Sequence, residues 1–287
     1  MLSNGDIRER SIALGITDIR FAPADDMITV KGECLPAASL VSAASCIIVL
    51  FMAYLPAKAA SNGNIALSPY YIASNMAYGA AKALTAFIRE SGAQALHTAS
   101  ISAKAAALGT GGFIGDNGFY YHDAFGSHVC IQTIISSAGQ PEEYGHKRGE
   151  CLHCGACKQH CAAVDNLDFC VRAHMHGVVP QALREGVYQL LGCERCQSVC
   201  PLNTKETSRP FEFSVKELLC GGYKYKLKEL AGANMARTQR VLSQAALYAG
   251  AANMRELTEE LRRLAETADD PVKTHALWAH KKLTGDS

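Results

Sequence analysis

Cys151-Leu-His-Cys154-Gly-Ala-Cys157-Lys-Gln-His-Cys161 and Cys193-Glu-Arg-Cys196-Gln-Ser-Val-Cys200-Pro201, with Cys170 between them, decide how this chain is read. A [4Fe–4S] cube needs four thiolates. Two-residue gaps let three cysteines on one tight loop cap a cube, and the cysteine three residues further on reaches a second cube. Four cysteines in the first motif, one in the middle and three in the last make eight, enough for two cubes. The spacing assigns Cys151, Cys154, Cys157 and Cys200 to one cluster, and Cys161, Cys170, Cys193 and Cys196 to the other. Ala162 follows Cys161 where such motifs usually carry proline, whereas Cys200 keeps Pro201. Proline there shapes the exit turn and ligates nothing, so the count is unaffected. Zinc is the rival, because paired C-x-x-C also builds tetrahedral zinc sites. Such sites use two separated knuckles, however, and not three cysteines in succession followed by a fourth. Disulfides fit less well: the chain is long enough to bury a core without staples, and no secretory signal is visible in it.

Composition sets the frame around this block. The 287 residues are 48% hydrophobic and 19% charged, which describes a globular chain with room for one large domain or two to three small ones. A net charge of +1 offers no bulk handle for nucleic acid or membrane. Residues 1–145 carry 8 basic and 11 acidic side chains and residues 202–287 carry 14 and 11, a tilt typical of ordinary surface. Of the four cysteines outside the motifs (Cys34, Cys46, Cys130 and Cys220), three sit in apolar runs as buried thiols would. A reducing, cytoplasmic setting is expected.

Residues 37–55 carry no charge and approach the length of a membrane span. They are bounded by Pro36 and Pro56, begin Ala/Ser-rich and lack basic flanks. Their strong part, Cys46 to Leu55, is short and partly β-branched, so it reads as a central strand and no membrane association is expected. Upstream, residues 4–14 form an amphipathic helix stopped by Gly15, and Ile16 to Ala22 alternates like a strand. Ser68-Pro69 opens a helix that ends at Gly92, residues 98–108 are Ala-rich and helical, and Val129 to Ile135 is a second buried strand. Beyond Leu202 the chain is helical. Asn253-Met-Arg-Glu256 carries a capping-box signature, Leu257, Leu261 and Leu264 share a face, and a helix from Asp270-Pro271 to Gly285 completes one solenoid-like pair.

Leu108-Gly-Thr-Gly-Gly-Phe-Ile-Gly-Asp-Asn-Gly118 invites a phosphate-loop reading, but it follows a helix and lacks the dinucleotide spacing. Two readings stay open: backbone approaching a bulky cofactor, or a plain turn with an Asn117-Gly118 hairpin signal. His153, His160, His174 and His176 lie near the cysteines as shell residues or ligands. Tyr70, Tyr71, Tyr78, Tyr120 and Tyr121 suit a core or a cofactor pocket.

Several blocks together resemble the epoxyqueuosine reductase family, iron–sulfur and cobalamin proteins related to reductive dehalogenases. They are Leu14 to Ala24, Gly111-Gly112-Phe113-Ile-Gly115-Asp-Asn117, Phe125-Gly126-Ser127, Gly192 to Asn203, and Asp270 to Ala279, in the family's order. The family has Trp where Phe113 stands and Lys where Asp116 stands. The resemblance implies an α+β fold: a nitroreductase-like N-terminal domain over residues 1–145, a two-cluster ferredoxin-like domain over 146–206 and a short HEAT-like helical tail over 207–287. Gly111, Gly112, Phe113, Gly115, Asn117, Phe125, Gly126 and Ser127 would then hold cobalamin. An external donor such as ferredoxin or flavodoxin would feed two [4Fe–4S] clusters, and these would reduce the cobalt.

Family members that reduce the queuosine precursor place an acid about twenty residues before the glycine-rich block. Here no Asp or Glu lies between Glu90 and Asp116, and His97 is the available replacement. Histidine titrates near ~6.5 and can donate a proton, although a solitary histidine beside a strand is also a common structural residue. The missing acid, the short chain and the weak charge argue against tRNA and for a small-molecule substrate. The expected function is a cobalamin-dependent reductase, with a corrin-free [4Fe–4S] electron carrier as the alternative.

Overall fold

The computed structural model describes residues 2–24, 35–144, 149–161 and 177–285. Cys170, Cys34, His174 and His176 lie outside the described residues. The fold is mixed α/β. Two compact units interleave along the chain: residues 1–54, 73–154 and 201–204 form the first, and 55–72, 155–200 and 205–287 the second.

The first unit is built on a four-stranded antiparallel sheet of order β1-β2-β7-β4, from β1 (Asp18–Pro23), β2 (Cys46–Ala53), β4 (Ala95–His97) and β7 (Val129–Ser136). β2 is buried along all but its last residue, because it is paired on both edges: Phe51 stands opposite Asp18 on one side and Ile131 on the other. The uncharged run at 37–55 is therefore a short helix, α2 (Ala37–Leu40), followed by a central strand. No described helix is long and apolar enough to cross a membrane. Helix α1 (Asn4–Ala13) starts in a Ser3–Asp6 capping box and stops before Gly15, whose φ of 82° completes the exit. Helix α3 (Pro69–Glu90) starts behind Ser68 and stops before Gly92, as its sequence signals require.

The Ala-rich stretch is less helical than expected. Ser102 caps the amide of Ala105, so α4 (Ala103–Leu108) begins only there, while Ala95–His97 joins the sheet edge against β7. The glycine-rich block folds as a hairpin of β5 (Phe113–Ile114) and β6 (Tyr120–Tyr121). The amide of Gly118, at φ 72°, closes the turn on the Gly115 carbonyl at 2.8 Å.

In the second unit β3 (Asn64–Ala66) pairs with β8 (Glu212–Ser214), and among the described residues of the cysteine region lie the one-turn helices α5 (Ala156–His160), α6 (Gln181–Arg184) and α7 (Arg195–Ser198). Helices α8 (Val215–Leu219), α9 (Lys224–Ala231), α10 (Thr238–Ala251), α11 (Thr258–Thr267) and α12 (Val272–Thr284) follow. α12 packs on both α10 and α11, burying Leu257, Leu261, Leu264, Ala276 and Ala279 in one core. The expected capping box at Asn253–Glu256 does not form. Asn253 is in the left-handed region at φ 56°, turning the chain back after α10, and a 3-10 turn at Arg255–Leu257 delays α11 to Thr258.

Candidate metal centre

Within the second unit the fold brings the two cysteine motifs together. α5 carries Cys157, α7 carries Cys196, and the two helices pack against each other. The second motif is entered at Gly192, where a Cβ would lie 2.4 Å from the Ser68 Cβ, so the close approach needs glycine. Glu194 is buried. It accepts a hydrogen bond from the Ser68 hydroxyl at 3.1 Å, and its own amide donates to the Tyr188 hydroxyl at 2.8 Å. Burial, with the Cys193 thiol and Glu194 alongside, holds the Tyr188 phenol protonated well above its ordinary range. Lys205 Nζ donates to the carbonyls of Ser198 and Cys200 at 3.1 and 3.0 Å, capping the exit of α7. Cys196 is buried; Cys157, Cys161, Cys193 and Cys200 are half-buried. No disulfide joins the described cysteines. A set of soft thiol donors on short, glycine-opened turns fits an iron–sulfur cluster.

In the first unit the glycine-rich hairpin meets the start of the first motif. His153 Nδ1 lies 2.9 Å from the Asp116 carboxylate, and Cys151 Sγ joins them so that the three ligand atoms lie within 4.8 Å of one another. A Cβ on Gly149 would sit 3.2 Å from the Phe113 ring. The pairing of Asp116 with His153 was not visible in the sequence, because nothing local to either residue points to the other. The block at Phe125–Ser127 is clamped as well. The Ser127 amide donates to Asn203 Oδ1 at 2.8 Å, the Asn203 amide returns a bond to the Ser127 hydroxyl at 2.9 Å, and a Cβ on Gly126 would lie 2.2 Å from that Oδ1.

The glycines of the hairpin have internal reasons to be glycine. A Cβ on Gly112 would lie 2.4 Å from the Tyr121 carbonyl, and one on Gly115 would lie 2.6 Å from the Tyr121 ring, which stacks on Phe113. Asn117 Nδ2 donates to the Tyr121 hydroxyl at 3.0 Å. The glycines thus fold the hairpin on itself, and nothing in their geometry speaks specifically for a macrocycle, so the corrin reading rests on the resemblance alone.

Beneath the hairpin, Arg20 is buried and gives hydrogen bonds to three acceptors: Asp18 (2.8 Å), Asp123 (2.5 Å) and the Thr110 carbonyl (3.0 Å). His122 Nε2 lies 2.9 Å from the Asp18 carboxylate and 2.8 Å from Arg20 Nη2, and its Nδ1 lies 3.1 Å from the Ala124 amide and 2.9 Å from the Asp123 carboxylate. Burial lowers the Arg20 guanidinium, but its bonds to Asp123 and Asp18 outweigh this and hold it above its usual range. His97, at the end of β4, has its Nε2 2.7 Å from Gln132 Oε1 and its ring 5.2 Å from that of Tyr78.

No family model matches the chain. The epoxyqueuosine reductase of Lactococcus garvieae (strain Lg2) is 25% identical over a stretch that covers 60% of this chain and 55% of that protein. The chain thus matches little more than half the length of this curated relative. Among solved structures, epoxyqueuosine reductase from Bacillus subtilis, with an aspartate-bearing catalytic loop swung out of its active site, superposes at a TM-score of 0.77. It is 20% identical, and the match covers 97% of this chain and 90% of that one. The Streptococcus thermophilus enzyme gives 0.76 at 17% identity, covering 98% and 90%. An epoxyqueuosine reductase bound to an epoxyqueuosine-modified tRNA-Tyr stem loop gives 0.77 at 19%, covering 97% and 89%. The fold is the one seen in these solved epoxyqueuosine reductases. The resemblance to the epoxyqueuosine reductase family, carried by the blocks from Leu14 to Ala279, holds.

One expectation is corrected here. Low net charge and a missing acid argued for a small-molecule substrate and against tRNA, but a protein with this fold over nearly the whole chain is seen with a modified tRNA stem loop. Net charge failed as a guide because it averages over the surface, whereas a stem loop is bound by a local patch.

Proposed function

We propose that the chain is an iron–sulfur reductase of the epoxyqueuosine reductase kind, acting on a modified nucleoside in a tRNA stem loop. The observation that carries this reading is the second unit's pairing of α5 with α7, which brings cysteines of both motifs onto adjoining turns. Residues 1–145 serve as the cofactor domain, 146–206 hold the clusters and 207–287 form the helical tail. Cys151, Cys154, Cys157 and Cys200 ligate one cube; Cys161, Cys193 and Cys196, with Cys170 as the fourth thiolate, ligate the other. Cobalamin, where bound, supplies the reducing metal. The chain's part is to deliver single electrons, to exclude water and to hold a proton near the reacting group. Because no carboxylate lies between Glu90 and Asp116, His97 is the residue assigned to that proton, with Gln132 fixing its ring.

The test is anaerobic reconstitution followed by turnover. About eight iron atoms per chain are expected, and about four would mean that the set using Cys170 is wrong. The loaded protein, given cobalamin and a reductant, should remove the epoxide oxygen of a modified stem loop, read as a mass change in the nucleoside. Full clusters with no corrin uptake and no mass change would overturn the reductase reading. They would leave the electron carrier, which the self-packed glycines of the hairpin favour.

A further inference from the structure

The second unit carries a cleft of about 620 Å³ between α6 and α12, walled by Arg184, Lys281, Lys282, Leu277 and Trp278. Three of these five side chains are cations. Arg184 is held by its Nε, which donates to the Val179 carbonyl at 2.9 Å, and its guanidinium lies 5.9 Å from the Trp278 ring. Lys282 lies 5.5 Å from the same ring and pairs with Glu185 at 2.5 Å. Trp278 is the only tryptophan in the chain, and its ring packs so closely on Gly250 that a Cβ there would lie 2.7 Å from it. Away from the cleft, Trp278 packs with Cys193 around one small core of Val179, Val187 and Leu247. Trp278, in the wall of this basic cleft, and Cys193, which the function above makes a cluster ligand, thus adjoin the same small core.

We propose that this cleft is the port at which an acidic one-electron carrier docks and reduces the cluster held by Cys193. The inference rests on the iron–sulfur reading. Carboxylates of the carrier meet Arg184 and Lys281 beside Trp278, which shares its small core with Cys193. One electron leaves the carrier's anionic flavin hydroquinone, which becomes the neutral semiquinone with no proton released, and the cluster gains that electron. Contacts of this kind are small, electrostatically steered and sensitive to salt. What favours an electron carrier over RNA here is that Trp278, in the cleft wall, packs on the same small core as Cys193.

The experiment uses the reconstituted full chain with 5-fluorotryptophan, whose single 19F resonance reports Trp278, and reduced and oxidised flavodoxin as probes. Oxidised flavodoxin should shift the resonance at low salt and release it at high salt. Arg184→Gln with Lys281→Gln should slow cluster reduction by flavodoxin hydroquinone by about tenfold, while reduction by dithionite stays unchanged. An unshifted resonance, or equal flavodoxin rates in variant and parent, overturns the port while leaving the clusters standing. A shift produced by an unmodified tRNA stem loop but not by flavodoxin makes the cleft an RNA site and overturns it too. Failure of the parent chain to take up iron would be a failure of the iron–sulfur reading itself.

Discussion

Each unit secures its candidate site with a buried polar side chain, and the two do so by opposite means. In the first, Arg20 is charged and meets two carboxylates, and it ties β1 to the turn that follows α4, at Thr110. In the second, His275 is fully buried and neutral. Its Nε2 accepts the Val179 amide at 2.8 Å, so Nδ1 carries the proton and donates to the Ser243 hydroxyl at 2.5 Å. Burial, aided by the nearby Arg184 charge, depresses the His275 imidazole from 6.5 to about 4. A charged tie is strong while complete and costly when one partner is lost. A neutral tie is cheaper to remove, but it fails in acid.

Removing Arg20 is the severest way to break this contrast. Arg20→Met leaves Asp18 and Asp123 without their cation, and burial then raises both carboxyls that the arginine and histidine bonds had held low. Breaking a buried pair costs about 3–5 kcal/mol, and the partial exposure of both acids places this variant at about 3. A lower urea midpoint with an unchanged slope is expected. An unaltered midpoint would mean that the cluster is surface-like despite the burial of Arg20.

His275→Ala should cost about 2 kcal/mol, because the Val179 amide is left buried without an acceptor. The pH response sharpens the comparison further. The folded pKa lies below the unfolded one, so the stabilisation from neutral His275 is complete above pH 6.5 and declines as pH falls towards about 4. Stability measured from pH 7 to 4 should therefore fall with a slope approaching one proton, and His275→Asn, which keeps an acceptor for Val179, should flatten it. A slope that survives in the asparagine variant would show that another group carries the proton.

Gly126→Ala probes the first unit without touching a charge. Position 126 has φ 60°, and the added Cβ would strike Asn203 Oδ1, the acceptor of the Ser127 amide. A loss of about 1–2 kcal/mol is expected, with faster hydrogen exchange at the Ser127 amide. Unchanged exchange would mean that the Asn203 clamp tolerates the methyl group.

These ties also mark where the sequence could be read and where it could not. β2 and α3 were legible because each is specified locally, by a continuous apolar run in one case and by Ser68-Pro69 and Gly92 in the other. Cysteine spacing likewise picked out the two motifs whose helices α5 and α7 pack together. β4 was not legible: three residues acquire strand geometry only from β7, nearly forty positions away. The same holds for Arg20 with Thr110, Asp116 with His153 and His275 with Val179, all pairings made by the fold between stretches with no local signature. The glycine-rich block misled in a different way, since glycine marks a backbone need without saying whether a ligand or the chain's own tyrosines create it.

The smallest expected effect lies at the edge of the first unit. Glu142 accepts from Arg8 and Asn4, and the Tyr144 hydroxyl donates to it at 2.8 Å. The Arg8 bond is the main cause that lowers its carboxyl from 4.5 to about 2. The sign is that of an acid favoured in its charged form, so the stabilisation is present above pH 4.5 and disappears as pH falls to about 2. Both partners are partly exposed, so Glu142→Gln should cost less than about 1 kcal/mol at pH 7. Its value is in timing. His275 loses its stabilisation between pH 6.5 and 4, before Glu142 has begun to protonate appreciably, so acidification from pH 7 should weaken the second unit first. Hydrogen exchange at pH 5 should show α10 and α12 losing protection while β1 and β2 keep theirs. Simultaneous loss in both units would mean that they unfold as one cooperative body, and that the contrast between charged and neutral ties has no separate consequence for the two sites.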